Sequence, residues 1–88
     1  MKDVKNRSRV MLYALSTCIW CRKTKKLLDS LNVSYDFVDV DLLEGDEEER
    51  IMEEVKKHNP NCTFPTMVID GRRVIAGFKE DEIRKALR

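Results

Sequence analysis

The chain has 88 residues, enough for one small domain and too few for a second hydrophobic core. Charged residues make up 38% of it, but 17 Lys and Arg against 16 Asp and Glu leave a formal net charge of +1, so no global field draws it to nucleic acid or an anionic membrane. Its three cysteines are an odd number, unlike the even set of a disulfide-stapled secreted mini-protein, and no apolar segment follows the basic N-terminus as a signal or membrane span would; the chain is read as cytoplasmic.

Residues 1–9 are polar, carry Lys2, Lys5, Arg7 and Arg9, and are expected to form a flexible N-terminus ahead of a folded domain over 10–88. Val10 to Leu15 is apolar almost throughout, as in an inner strand covered on both faces. From Cys18 onward apolar residues recur at helical spacing (Trp20, Leu27, Leu28, Leu31), which predicts a helix of about 14 residues ended by Asn32. Ser34 to Val40 alternates as a second strand, with Tyr35, Phe37 and Asp39 on one side and Asp36, Val38 and Val40 on the other. Strand, helix, strand implies a right-handed parallel crossover.

After Gly45, the run Asp46-Glu47-Glu48-Glu49 offers a capping-box-like start to a second helix reaching about Lys57, with Lys56, Lys57 and His58 in its last turn. Its apolar stripe of Ile51, Met52 and Val55 is narrow, so it should lie on the surface. Thr66 to Ile69 leads into Asp70-Gly71, and Val74-Ile75 follows: a hairpin signal. Lys79 to Leu87 places Ile83, Ala86 and Leu87 on one face of a terminal helix. The order β-α-β-α-β-β-α describes an α/β fold with a central four-stranded mixed sheet and three flanking helices.

Chemistry is concentrated at Cys18-Ile19-Trp20-Cys21. Two thiols three positions apart on a nascent helix are close enough to open and close a disulfide, which points to electron transfer. At the strand-to-helix turn, Cys18 faces unpaired backbone N–H groups and the positive end of the helix dipole, both of which favour the attacking thiolate. Arg22, Lys23, Lys25 and Lys26 follow within two turns and add positive potential in the same direction. Cys21, one turn deeper, is placed as the resolving thiol. A third feature converges with these: Thr63-Phe64-Pro65-Thr66 precedes the third strand, and its X-Pro bond is one that can adopt cis.

With these three features in hand, the chain resembles the glutaredoxins, and more broadly the thioredoxin fold, from Val10 to Leu87. Glutaredoxins usually carry Cys-Pro-Tyr-Cys where this chain has Cys18 to Cys21, Thr-Val-Pro where it has Thr63-Phe64-Pro65, and Gly-Gly where it has Ala76-Gly77. The resemblance implies that Cys18 attacks a substrate disulfide, Cys21 resolves the mixed disulfide, and Pro65 is a cis proline facing them. Thr17, Trp20, Thr63, Phe64, Gly77 and Phe78 would line the substrate site, with the Phe64 backbone pairing an extended stretch of substrate. No organic cofactor is implied. The partners would be a disulfide-bearing protein or low-molecular-weight thiol and a reductase or small thiol as electron donor, with no nucleic acid or membrane, and with a monomer as the default.

Two departures bear on the donor. Members of the family that use glutathione tend to have lysine where this chain has Leu15, and acidic residues after the glycine pair where this chain has Phe78-Lys79. Ala76-Gly77-Phe78-Lys79-Glu80-Asp81 instead looks like the Ser-Gly-Phe-Arg-Pro-Asp of the glutaredoxin-like hydrogen donors of ribonucleotide reductase, which take electrons from thioredoxin reductase. Glutathione is therefore not expected to be the preferred reductant.

The rival reading is metal binding. Cys18, Cys21, Cys62 and His58 supply the donor set of a Cys3His zinc site, or the thiols of an iron-sulfur site, with no turnover. Against zinc, the pairs Cys18/Cys21 and His58/Cys62 are separated by a full strand and helix, whereas zinc knuckles space their pairs by roughly 12 to 20 residues. Cys62 is otherwise a tolerated loop residue near the cleft, and His58 a helix-end residue that complements the dipole.

Overall fold

The computed structural model describes residues 9–87. Its elements are β1 (Val10–Ala14), α1 (Ile19–Ser30), β2 (Asp36–Asp39), a 3-10 turn (Val40–Leu42), α2 (Gly45–His58), β3 (Thr66–Ile69), β4 (Arg73–Ala76) and α3 (Glu80–Leu87). The strands form one sheet in the order β2-β1-β3-β4. β1 runs parallel to β2 and antiparallel to β3, and β3 runs antiparallel to β4, so the sheet is mixed and four-stranded as expected. The N-terminus expected to be flexible lies outside the described residues except for Arg9, as does Arg88. Arg9 donates its N–H to Asp70 Oδ1 (2.9 Å) and accepts the Asp70 N–H at its carbonyl (2.8 Å), extending the β1/β3 pairing by one residue.

β1 is the inner strand because its side chains are apolar on both faces. Val10, Leu12 and Ala14 pack with Leu27 and Leu28 of α1 and Ile83 and Leu87 of α3. Tyr13 points to the opposite face, where it meets Val55 of α2, Val40 and Val68. Leu12, Leu28, Val55 and Ile83 are completely buried. Each such side chain stabilises the fold by about 2 kcal/mol through the apolar area taken from water.

α1 ends where Asn32 predicts. Asn32 has φ 58°, its N–H donates to the Asp29 carbonyl, and the Val33 N–H donates to the Leu28 carbonyl. Together these form a Schellman cap that drops Val33 into the core. The hairpin also follows its signal: Asp70 (φ 56°) and Gly71 (φ 72°) are the two left-handed residues that a type I′ turn requires, closed by Arg72 N–H to the Ile69 carbonyl.

Several boundaries differ from the sequence reading; β1 stops at Ala14 rather than Leu15, and α1 covers 12 residues rather than about 14. β2 covers Asp36–Asp39 rather than Ser34 to Val40, because β1 turns away at Leu15 and the chain tightens into the 3-10 turn. α2 starts at Gly45 (φ 60°) with Glu44 as N-cap, and no side chain caps it. The expected capping box is therefore not formed, and Asp46, Glu47 and Glu48 serve the first turn only as charges complementing the dipole. α3 begins one residue later than expected, at Glu80.

Candidate active site

The C-terminal end of β1 delivers the two cysteines. After Ala14 the chain makes a tight turn in which the Cys18 N–H donates to the Leu15 carbonyl (3.1 Å), and Cys18 becomes the N-cap of α1 with extended backbone (φ −84°, ψ 121°). An N-cap side chain can accept from the free N–H groups of the first turn, and here the Cys18 Sγ accepts the Cys21 N–H at 3.2 Å. Cys18 is half-buried, while Cys21, one turn in, is 1% exposed and belongs to the core with Leu12, Leu28 and Ile83. One sulfur thus reaches solvent and the other lies directly behind it.

The electrostatics separate the pair further. Burial pushes the Cys21 thiol up, and its hydrogen bond to Cys18 adds to this; a backbone hydrogen bond from Leu15 and the Lys25 charge pull the other way. Lys25 is held in place by Asp39 (Nζ to Oδ1, 3.2 Å) and by the Phe37 ring, whose centroid is 4.1 Å from Nζ. Arg22 points into solvent, and Lys23 lies over the Trp20 ring at 4.9 Å. Of the four cations that the sequence places in the first two turns of the helix, the one whose charge acts on the pair's second sulfur is Lys25.

A groove of about 230 Å³ beside the thiols is lined by Trp20, Phe64, Pro65, Gly77 and Phe78, five of the residues expected at a substrate site. Trp20 is 52% exposed and stacks on Phe78 with ring centroids 5.9 Å apart, so it forms a wall of the groove and not part of the core. The Phe64-Pro65 bond is cis. Pro65 is buried, and its carbonyl accepts the Gly77 N–H at 2.7 Å, which ties the start of β3 to the end of β4. Gly77 has φ 90°, a conformation few other residues adopt.

Thr17 is exposed between Ser16 and Cys18. Thr63 is exposed but tied back to the fold: its carbonyl and hydroxyl both accept from Asn59 Nδ2 (3.2 and 3.0 Å), and its carbonyl also takes the Thr66 hydroxyl at 2.6 Å. Buried Asn59 thereby braces the segment leading into Pro65, a role with no signal in its local sequence. Ser16 was likewise unmarked, although its N–H and hydroxyl both donate to Asp41 in the 3-10 turn.

The four-ligand metal site is not assembled. Cys18 packs against the α1/α3 cluster and Cys62 against the α2 cluster, while His58 lines a separate depression with Arg9, Tyr35 and Asp70. Among the described residues no group of three or more His, Cys, Asp or Glu side chains converges on a point that could hold a metal ion. That alternative is set aside.

A mixed four-stranded sheet with three helices, an N-cap cysteine pair and a cis proline beside it define a thioredoxin-fold redox protein. Comparison with known proteins narrows the class. The Glutaredoxin family model matches residues 10–74. A glutaredoxin-like 8.6 kDa protein from the rubredoxin operon of Clostridium pasteurianum is 40% identical over 78 residues, covering 89% of this chain and 96% of that protein. Among solved structures, Methanosarcina acetivorans methanoredoxin superposes with TM-score 0.87 at 47% identity, covering 90% of this chain and 83% of that one. The glutaredoxin from Methanosarcina mazei Go1 gives 0.83 at 55% identity, covering 89% and 76%. The chain belongs to the glutaredoxin family and is a dithiol thiol-disulfide oxidoreductase.

Proposed function

We propose that Cys18 is the attacking thiol and Cys21 the resolving thiol, and that the protein carries electrons from a thiol or reductase donor to disulfide substrates in the cytoplasm. The observation that carries this reading is the asymmetry of the pair: Cys18 Sγ is accessible and receives the Cys21 N–H, while Cys21 is buried behind it. A substrate sulfur can reach only the outer thiol. The mixed disulfide then places Cys21 within one helical turn of the bond it must break. The groove formed by Trp20, Phe64, Pro65, Gly77 and Phe78 would hold the chain on either side of the substrate disulfide. Its aromatic wall favours substrates with an apolar residue next to the cysteine. Among the described residues no helix is long and apolar enough to cross a membrane, which is consistent with a partner met in solution.

The preferred donor, on this reading, is not glutathione. Exposed Lys79 stands immediately before α3, beside the groove residues Gly77 and Phe78, where a cation would repel the γ-glutamyl ammonium. The test is a paired insulin-reduction assay, coupled either to thioredoxin reductase or to glutathione with glutathione reductase. Turnover with the first alone supports the reading; efficient turnover with glutathione contradicts it.

A further inference from the structure

The turn that presents both cysteines is held by a residue from another element. Asp41, in the 3-10 turn after β2, accepts the Ser16 N–H at Oδ1 (2.8 Å) and the Ser16 hydroxyl at Oδ2 (2.6 Å). Both carboxylate oxygens are used, and both distances fall in the range of charge-assisted bonds, which are about twice as strong as neutral ones. Ser16 follows Leu15, whose carbonyl accepts the Cys18 N–H, and the Cys18 sulfur in turn accepts the Cys21 N–H. The peptide between Leu15 and Ser16 is thus fixed on one side by Asp41 and bears on the thiol pair on the other. Ser16 lies 25 positions from Asp41, so the contact joins the C-terminal ends of two neighbouring parallel strands at the point where the reactive turn begins.

Resting on the assignment of Cys18 and Cys21 above, we infer that Asp41 is a positioning residue for the resolving step. In that step the Cys21 thiol gives its proton to solvent and its sulfur attacks Cys18 in the mixed disulfide. The Cys18–Cys21 bond forms, the bond from Cys18 to the substrate sulfur breaks, and the substrate leaves as a thiolate that takes up a proton. The substrate has then gained two electrons and the protein pair has lost them. This attack requires the two protein sulfurs and the leaving sulfur to be close to collinear, so it depends on how firmly the turn carrying Cys18 is set against the helix carrying Cys21. The first step does not, because Cys18 meets a freely diffusing disulfide. By tying Ser16, Asp41 removes the turn's freedom to swing Cys18 away from Cys21.

The two steps separate with a symmetric aromatic disulfide that releases a coloured thiolate, mixed rapidly with reduced protein in a Cys62→Ser background so that only the pair reacts. The first thiolate reports attack by Cys18 and the second reports resolution by Cys21. Asp41→Ala should slow the second release on the order of tenfold while changing the first by less than about threefold, since only the second needs a fixed partner. Asp41→Asn can still accept the Ser16 N–H and donate to the Ser16 oxygen, so it should restore most of the second rate. An unchanged second release in Asp41→Ala overturns the inference. So does equal slowing of both steps with a lowered melting temperature, or an Asp41→Asn variant as slow as the alanine, which would assign the effect to charge. Should Asp41→Ala not fold, Ser16→Ala, which removes only the hydroxyl arm, decides: a selectively slower second release supports the inference and a wild-type rate overturns it. A Cys18→Ser control that releases the first thiolate as fast as the parent would instead defeat the assignment of the cysteines.

Discussion

The two faces of the sheet differ in how they are covered and in what they carry. On one, α1 and α3 bury a continuous cluster from Val10 to Leu87 that includes Cys21 itself. On the other, α2 contributes a single fully buried side chain, Val55, to a smaller cluster, with Ile51 and Met52 only partly covered. The chemistry sits on the better-packed face. A buried resolving thiol is useful only if its position is fixed, and dense packing is the means a small domain has of fixing it. The lightly covered face carries no reacting group, so its helix can be polar and heavily charged without cost to the site.

Breaking the chemical side of this contrast gives the largest effect. Cys18→Ser should reduce insulin-reducing activity to background, while Cys21→Ser should leave a first attack that stops at the mixed disulfide. Next comes packing. Leu28→Ala on the dense face should cost about 2–5 kcal/mol of stability and lower activity with it, because Leu28 packs in the same cluster as Cys21. Val55→Ala on the sparse face should cost about 2 kcal/mol and leave the rate of each thiol step unchanged in the folded protein. Denaturant melts paired with the two-phase kinetics check both; equal kinetic damage from the two variants would erase the distinction.

A subtler effect is alkaline destabilisation. Burial, reinforced by its hydrogen bond to Glu54 (2.9 Å), moves the Tyr13 hydroxyl from 10.0 to about 12, and burial raises the Cys21 thiol as well. For groups whose folded pKa is raised, the stability they contribute is fully present below the unfolded pKa and is lost as pH rises through the folded value. The reduced protein should therefore hold its stability at neutral pH and lose it progressively from about pH 9 to about pH 12, with Cys21→Ser and Tyr13→Phe each removing part of the slope. The smallest expected effect is at the groove wall. Trp20→Ala should raise KM for a protein disulfide by about threefold to tenfold, the worth of one aromatic contact, and leave kcat unchanged.

Element order, the inner strand, the hairpin and the end of α1 were all legible in the sequence, because each rests on local chemistry: an apolar run, two left-handed residues in Asp70-Gly71, and the Asn32 cap. The cysteine pair stood out for the same reason, whereas the groove residues were expected from the family resemblance, and five of them line one groove. What escaped was non-local. The strand reading carried β2 through Val40, yet the chain leaves the sheet at Asp39 so that Asp41 can reach Ser16. Asn59 acquires its role only when Thr63 and Thr66 fold back onto it. Arg22, Lys23, Lys25 and Lys26 were all marked by proximity in sequence, but only the fold shows that Lys25, at position i+4 from Cys21, is the one whose charge acts on that sulfur. Charge alone did not show which way a side chain would turn: Lys23 lies over Trp20.

The most direct test of the account is to trap the mixed disulfide. Cys21→Ser, incubated with a disulfide-bonded peptide and analysed by intact mass and peptide mapping, should accumulate one covalent adduct on Cys18, while Cys18→Ser should accumulate none. An adduct on Cys21 in the Cys18→Ser protein, formed as fast as the Cys18 adduct, would show that the buried thiol is the one that meets substrate and would contradict the assignment on which the mechanism stands.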